Sequence, residues 1–387
     1  MPDQKQPKKK LLFVTGSRGE WGYIRPILKL CEQHPDVEYS LCVTNMHLSP
    51  SFGMPINEIL ADGFRIDHKV YMSIDGYNHY SMVKSLGIFM SSFADIVASD
   101  RPDWIVLAGD RGEQLMGATV GAFCYIPVAH IQAGELSGNI DGMTRHAIGK
   151  YTHLHLAANQ DAADRLIKLG ESDFRVHNVG APQIDELEEG FYSDIANIEQ
   201  RLNVDLSEPY VMVVQHSVTE EYEEAEQQIQ TTMEALARVD LKKIVILPNN
   251  DAGSHMIRKG IERARIKDFH VFANLKRQDY LGLLKNSQCI VGNSSSGLLE
   301  APTFKTPAVN IGNRQNQRVQ GMNVINCPFE VDAILASIKK AKSDEFRSLL
   351  RSECVNPYGD GKSSQRILDL LVQTPVNDQL LSKHLTY

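Results

Sequence analysis

The chain repeats one pattern from its start: a short apolar run, a glycine-bearing or polar turn, then a stretch with helical spacing. Residues 11–15 form the first such run and end at Gly16-Ser17-Arg18. Behind it, Ile24, Ile27, Leu28 and Cys31 recur at intervals of three and four, which predicts a helix over 23–33. Further strands are predicted at 39–44, 104–108, 127–131, 154–158 and 176–179. The run 104–108 ends at Gly109-Asp110-Arg111, and a helix rich in small residues (Gly117, Ala118, Gly121, Ala122) follows it. The pattern then restarts, with strands predicted at 210–214, 244–247, 270–273, 289–291 and 308–311 and a long charged helix at 220–238. The polar stretch 190–209 reads as the link between the two series. Strands alternating with helices imply parallel, doubly wound α/β sheets. The expected architecture is therefore two Rossmann-like domains, at 1–189 and 190–360, with a terminal piece 361–387 that carries a last helix at 363–371. A ligand of such a fold belongs in the interdomain cleft, at the carboxyl ends of both sheets.

Most of the chemically informative side chains fall just after predicted strands. In the first series these are Arg18, His47, Asp110, Arg111, Glu135 and Asp141; in the second, His216, Asn249, Asn250, Ser294, Ser295, Glu300 and Arg314. The densest signal is Gly292-Asn293-Ser294-Ser295-Ser296-Gly297-Leu298-Leu299-Glu300, read as strand, small polar turn and helix start. Such a turn offers backbone N–H groups and hydroxyls to a phosphate or diphosphate at the positive end of a helix dipole. Glu300, about one turn into that helix, is placed to accept hydrogen bonds from a ribose diol. An ordinary Ser N-cap with an acidic first turn accounts for the same residues about half the time.

Composition narrows the choice of partner. With 387 residues, 42% hydrophobic and 23% charged, the chain has the make-up of a soluble globular protein. A formal net charge of −8 argues against a nucleic-acid coat, and no basic stripe extends beyond Lys8-Lys9-Lys10. No run of about 18 apolar residues suggests a membrane span, and no apolar signal core opens the chain. The six cysteines are scattered without paired spacing, and several lie in apolar strand or helix contexts, which suggests buried thiols in a reducing cytoplasm; no Cys-based zinc site is visible. His153-x-His155 invites a metal reading, but no neighbouring carboxylate or thiol in sequence accompanies it, so a packing role is preferred. Dinucleotide, P-loop and nucleophile-elbow motifs are all missing. No cofactor and no metal are therefore expected.

Acid–base candidates cluster around His130-Ile131-Gln132-Ala133-Gly134-Glu135, Asp141, Arg145 and His146. Asp141 and Arg145, four apart, share a helix face and are candidates to pair. Asp110 beside Arg111 reads equally well as a buried ion pair ordering a loop.

Taken together, these runs resemble the hydrolysing UDP-N-acetylglucosamine 2-epimerases of sialic and legionaminic acid synthesis. The resemblance rests on residues 15–22, Gly109-Asp110-Arg111, 130–135, Ile140-Asp141 with 145–148, and Gln215-His216 with Thr219. It continues through 248–253, 292–300 and Asn310-Ile311-Gly312-x-Arg314-Gln315, so it covers about 11–361 in the expected order. It implies a glycosyltransferase-B-type fold whose last helix packs back on the first domain. It also implies a two-step reaction: loss of UDP and the C2 proton to give a 2-acetamidoglycal, then hydration to the manno sugar. By position, Asp110 and Asp141 match acid–base carboxylates, and Glu135 is a third candidate. Arg18, His216, Ser294, Ser295 and Glu300 match diphosphate and ribose contacts, with Asn249, Arg111 and Arg314 as further substrate contacts and His47 near the sugar. Gln132 departs from a Glu common at its position and cannot exchange protons, so it orients substrate or leaves that role to Glu135. The implied partner is a nucleotide sugar, and the implied assembly a homodimer or homotetramer.

The sugar stays open. UDP-N-acetylglucosamine is the default; a UDP- or GDP-linked 2,4-diacetamido-2,4,6-trideoxy sugar is the alternative, with C4 and C6 read by loop residues such as 72–80. A glycosyltransferase, a non-hydrolysing 2-epimerase (usual motif His-x-Glu-Ala-Gly-Leu-Arg against His130–Leu136 here) and a non-catalytic nucleotide-sugar binder are the rivals. Free sugar released with UDP and no acceptor separates the first of these.

Overall fold

The computed structural model describes residues 8–74, 78–137, 140–249, 251–384 and 386. Seven parallel strands make the first sheet: β1 (Lys9–Thr15), β2 (Val37–Thr44), β3 (His68–Val70), β4 (Trp104–Ala108), β5 (Val128–Ala133), β6 (Leu154–Ala157) and β7 (Val176–Asn178). Their order is β3-β2-β1-β4-β5-β6-β7. Six more make the second: β8 (Tyr210–Val214), β9 (Lys242–Ile246), β10 (Phe269–Phe272), β11 (Ile290–Gly292), β12 (Ala308–Ile311) and β13 (Val324–Cys327). Their order is β10-β9-β8-β11-β12-β13, again all parallel. Each sheet reverses its winding once, between β1 and β4 and between β8 and β11, and those reversals open the crevices where ligands of this fold class sit.

The central strands are apolar on both faces because helices cover both. β1 buries Leu11 and Phe13 against one helical layer and Leu12 and Val14 against the other. The second sheet divides in the same way, with Val211 and Val213 on one side and Tyr210, Met212 and Val214 on the other. The last long helix, Ser363–Gln373, buries Ile367, Leu368 and Leu371 in the core around β1 and the helix Arg18–Gln33. Its start is tied down there too: Asp185 accepts from the backbone N–H groups of Ser363 and Ser364 at 3.0 and 2.6 Å.

Several expectations are corrected. Two short strands, β3 and β13, and the 22-residue helix His79–Asp100 were not foreseen. That helix is long and apolar enough to cross a membrane by length and composition alone, yet here it buries Phe89, Phe93 and Val97 against the first sheet. The long charged helix is broken: Thr219–Glu224 is a 3-10 turn with Glu221 off helical geometry, and the α-helix spans only Ala225–Ala237. The polar link contains a helix, Ile195–Leu202, anchored by the buried Ile198. Cys124 is exposed, whereas the other five cysteines are buried.

Because Leu368 is fully buried against the first half, Leu368→Ala should cost about 2–5 kcal/mol of unfolding free energy. Urea unfolding measures this; an unchanged midpoint would show that the terminal helix does not belong to that core.

Candidate active site

The loops leaving β1 and β4 build one wall of the cleft. Ser17 caps the helix Arg18–Gln33 by accepting from the Glu20 N–H at 3.4 Å, and Glu20 returns the bond by accepting from the Ser17 N–H at 3.1 Å. A Cβ on Gly16 would stand 2.1 Å from Glu113 Oε1, so a side chain there would collide with a buried carboxyl. Burial first, and then the neighbouring Glu113, pushes the Glu20 carboxyl well above its usual range.

Ion pairing does not follow the neighbours in sequence. Asp110 pairs with Arg145 and not with Arg111. Arg111 instead reaches the second half, donating to Asp251 Oδ1 at 3.2 Å, with its Nε 3.5 Å from Glu113. Arg145 is buried beneath the loop after β5, where it also donates to the Glu135 carbonyl at 3.2 Å and Ser137 Oγ at 3.1 Å. Asp141, on the first turn of the same helix, faces the cleft with Arg314 Nη2 3.7 Å away. The i,i+4 pair expected between Asp141 and Arg145 is thus replaced by two longer-range pairs, because Arg145 is drawn inward by Asp110 and the loop carbonyls. Burial, then Asp110 and Asp251, raises the Asp141 carboxyl to about 7 against the pull of Arg314 and Arg111.

The opposite wall is built on β8, β9 and β11. Gly292 has φ +133, and a Cβ there would stand 2.1 Å from the Val214 carbonyl, so the chain turns off β11 only as glycine. Asn293 then braces the turn against the end of β8: its Oδ1 accepts from the His216 N–H at 2.7 Å and its Nδ2 donates to the His216 carbonyl at 2.9 Å. Ser294 and Ser295 follow, and the helix behind them is the single turn Ser296–Leu299, with Glu300 at its C-cap. A single turn carries little dipole. An anion at the serines would therefore rely on backbone N–H groups, hydroxyls and nearby cations more than on the helix expected from sequence. His216 Nδ1 accepts the Asn249 N–H at 3.2 Å, which leaves the ring proton on Nε2. Burial and then Arg314 hold that ring at about 3, so it is a neutral donor at physiological pH. The Glu300 carboxylate accepts from the Ser296 hydroxyl and lies 2.7 Å from Arg277 Nη2.

Between the walls runs a cleft of about 1230 Å³, partly open to solvent. Arg18, Asp110, Arg111, Asp141, His216, Asn249, Ser294, Ser295, Glu300 and Arg314 all line it. Glu135, His47 and Gln132 are not among its lining residues. Glu135 is buried with Arg318 on one oxygen and Asn159 Nδ2 at 3.0 Å on the other. His47 Nε2 lies 3.0 Å from Thr15 Oγ1, and burial lowers the ring to about 3. Gln132 sits at an irregularity of β5 with φ +63, and its buried amide has no hydrogen-bond partner among the described residues. Asn250 and residues 75–77 of the 72–80 segment lie outside the described residues. Sequence reasoning gave no role to Tyr280, Glu58, Gln183, Asp251 or Arg277, which also take part in the cleft or its walls. His155, read as lacking a carboxylate, has Glu171 Oε2 at 3.0 Å, brought near by the fold. Among the described residues no His/Cys/Asp/Glu group suits a metal ion.

A family model described as UDP-N-acetylglucosamine 2-epimerase matches residues 29–372. The chain belongs to the UDP-N-acetylglucosamine 2-epimerase family. It is 37% identical to a hydrolysing UDP-N,N'-diacetylbacillosamine 2-epimerase of Legionella pneumophila, across 97% of this chain and 98% of that one. It is 32% identical to a UDP-N-acetylglucosamine 2-epimerase of Neisseria meningitidis, across 87% and 88%. In fold it is similar to a crystal structure of a UDP-GlcNAc 2-epimerase from Neisseria meningitidis bound to UDP-GlcNAc, with TM-score 0.79, 20% identity and coverage of 94% and 100%. The two-domain, glycosyltransferase-B-like arrangement expected from sequence is thus the arrangement of these epimerases.

Asp141 makes a pH prediction. Its folded value of about 7 lies above the ordinary unfolded value of roughly 3.9. Between the two the folded chain binds more protons, so this group's contribution is fully present in acid and is lost as pH rises toward 7. Asp141→Asn should therefore flatten the fall in unfolding free energy between about pH 4 and 7, leaving the other raised carboxyls, Glu20, Glu58 and Asp185, to supply what remains. Urea unfolding across that range tests it; parallel profiles for wild type and variant would contradict it.

Proposed function

We propose that this epimerase-family protein hydrolyses a UDP-linked 2-acetamido sugar and inverts it at C2, releasing UDP and the free manno-configured sugar. The observation that carries this reading is the pairing of two unlike walls. One presents the carboxylates Asp110 and Asp141; the other presents Ser294, Ser295, the neutral donor His216 and the acceptor Glu300.

In the first step Asp110, a carboxylate oriented by Arg145, takes the C2 proton. The electrons of that C–H bond form C1=C2 as the C1–O bond breaks, and UDP departs with its charge met by Arg18, His216 Nε2–H and the serine turn. In the second step water adds at C1 while Asp141, its carboxyl raised toward neutrality by burial and its acidic neighbours, gives a proton to C2 from the opposite face. The proton lost by the water restores Asp141, and the proton that Asp110 took from C2 leaves to solvent with the departing UDP, which returns Asp110 to its carboxylate. Inversion needs a base on one face and an acid on the other, which is why two carboxyls in different environments suit it. Glu135, pinned by Arg318 and Asn159, is assigned to holding the wall and not to proton transfer, and Gln132 to packing behind β5. The domain division near residue 190 and the cytoplasmic, self-associating state remain part of this proposal.

For the sugar, the 37% relationship over nearly the full chain favours UDP-N,N'-diacetylbacillosamine, which is named as substrate of that Legionella enzyme. The second reading is UDP-N-acetylglucosamine, favoured by the 32% Neisseria relative. Steady-state rates with both nucleotide sugars, with products followed by NMR, decide between them; intact epimerised nucleotide sugar as the product would overturn hydrolysis itself.

Asp110→Asn and Asp141→Asn should each keep UDP binding while losing about 10²-fold or more in kcat. Glu300→Ala should instead weaken UDP binding, by about 1–3 kcal/mol in calorimetry, through loss of charge-assisted hydrogen bonds to ribose. Normal turnover in either aspartate variant would remove that residue from the mechanism, and unchanged UDP affinity in the third would remove Glu300 from the nucleotide.

A further inference from the structure

Arg277 opens the helix that follows β10, yet its side chain leaves the second half and enters the first. Nη2 lies 2.7 Å from Glu300 Oε1 of its own half, while Nε lies 3.6 Å from Glu186 Oε2 across the cleft. The guanidinium rests on the helix Arg18–Gln33 so closely that a Cβ on Gly22 would stand 3.2 Å from its central carbon. Its backbone N–H donates to Glu58 Oε1 at 2.6 Å, a third contact with the first half. Glu186 is fully buried and already paired with Arg25, with Lys29 Nζ at 3.5 Å, so the first half presents a rigid seat. One planar cation therefore touches both the carboxylate assigned to the ribose and the framework carrying the catalytic wall. A lysine ammonium cannot span two carboxylates in this way.

We propose that Arg277 is a positioning residue that latches the two halves over the nucleoside, its contact with Glu300 sensing the nucleotide and its seat on Gly22 and Glu186 setting the width of the cleft. The inference rests on the proposed nucleotide-sugar reading of Glu300. Its consequence is specific. Asp110 and Asp141 belong to one half and the diphosphate turn to the other, so C1 and C2 are presented correctly only at one separation. Small errors of placement are costly for such chemistry.

Gly22→Ala separates this role from folding. Alanine favours the helix interior over glycine by about 1 kcal/mol, so the thermal midpoint should not fall. The added methyl leaves Arg277 and Glu300 together but lifts the guanidinium from its seat by a few tenths of an ångström. UDP affinity by calorimetry should stay within about 2-fold, while kcat falls about 5-fold or more. Arg277→Lys should lose both, with UDP binding weakened about 10-fold and kcat reduced. Wild-type kcat in Gly22→Ala, or a fall in kcat with matching losses of UDP affinity and thermal midpoint, would overturn the latch. Wild-type protein that binds no UDP would instead overturn the nucleotide-sugar reading, and the latch with it.

Discussion

Four ion pairs among the described residues cross the cleft, and the arrangement of the site depends on them: Arg111–Asp251, Asp141–Arg314, Glu135–Arg318 and Glu186–Arg277. A carboxylate taken out of water needs a cation, hydrogen-bond donors or a proton. Each wall leaves carboxylates that the other wall's arginines complete, so the two halves are electrostatically unfinished apart. Local pairing within one wall would have satisfied Asp110 with Arg111 and Asp141 with Arg145. The fold spends those arginines elsewhere, and Asp141 sits buried beside Asp110 and Asp251, whose push outweighs the pull of Arg314 and Arg111. That environment makes it a group that exchanges protons near neutrality.

The same economy shapes the nucleotide side. The serine turn is held by Asn293 and Gly292, and by the Gln315 side chain donating to the Asn293 carbonyl at 2.9 Å. None of these supports is itself the binding group. They fix where Ser294, Ser295 and the Nε2–H of His216 point, which is what a preorganised anion site requires.

How much of this could be read in the sequence follows from range. Strand ends are legible because apolar runs broken by a glycine or a polar turn are local signals: Trp104–Ala108, Tyr210–Val214 and Ala308–Ile311 occupy the expected positions. The edge strands β3 and β13 are only three and four residues long, and each pairs on one side only. The 22-residue helix lacks a polar stripe that marks one face, since Val83, Ile88 and Met90 remain exposed opposite its buried phenylalanines. The length of the helix after the serine turn is not fixed by its sequence, because Leu298-Leu299-Glu300-Ala301 fits a longer helix as well as the single turn Ser296–Leu299. Ion-pair partners were the least legible: Arg145 and Asp110 are 35 residues apart, and Arg318 and Glu135 are 183 apart. Arg277 carries no motif at all, and only its tertiary neighbours distinguish it from any other cation in a helix's first turn.

The central claim is that carboxyls on one wall move the C2 proton while the other wall holds the nucleotide. Running the reaction in D₂O and examining the free sugar by NMR tests this most directly. The account predicts one deuterium at C2 of the manno-configured product, released together with UDP. Protium retained at C2, or deuterium found only in intact nucleotide sugar, would contradict it.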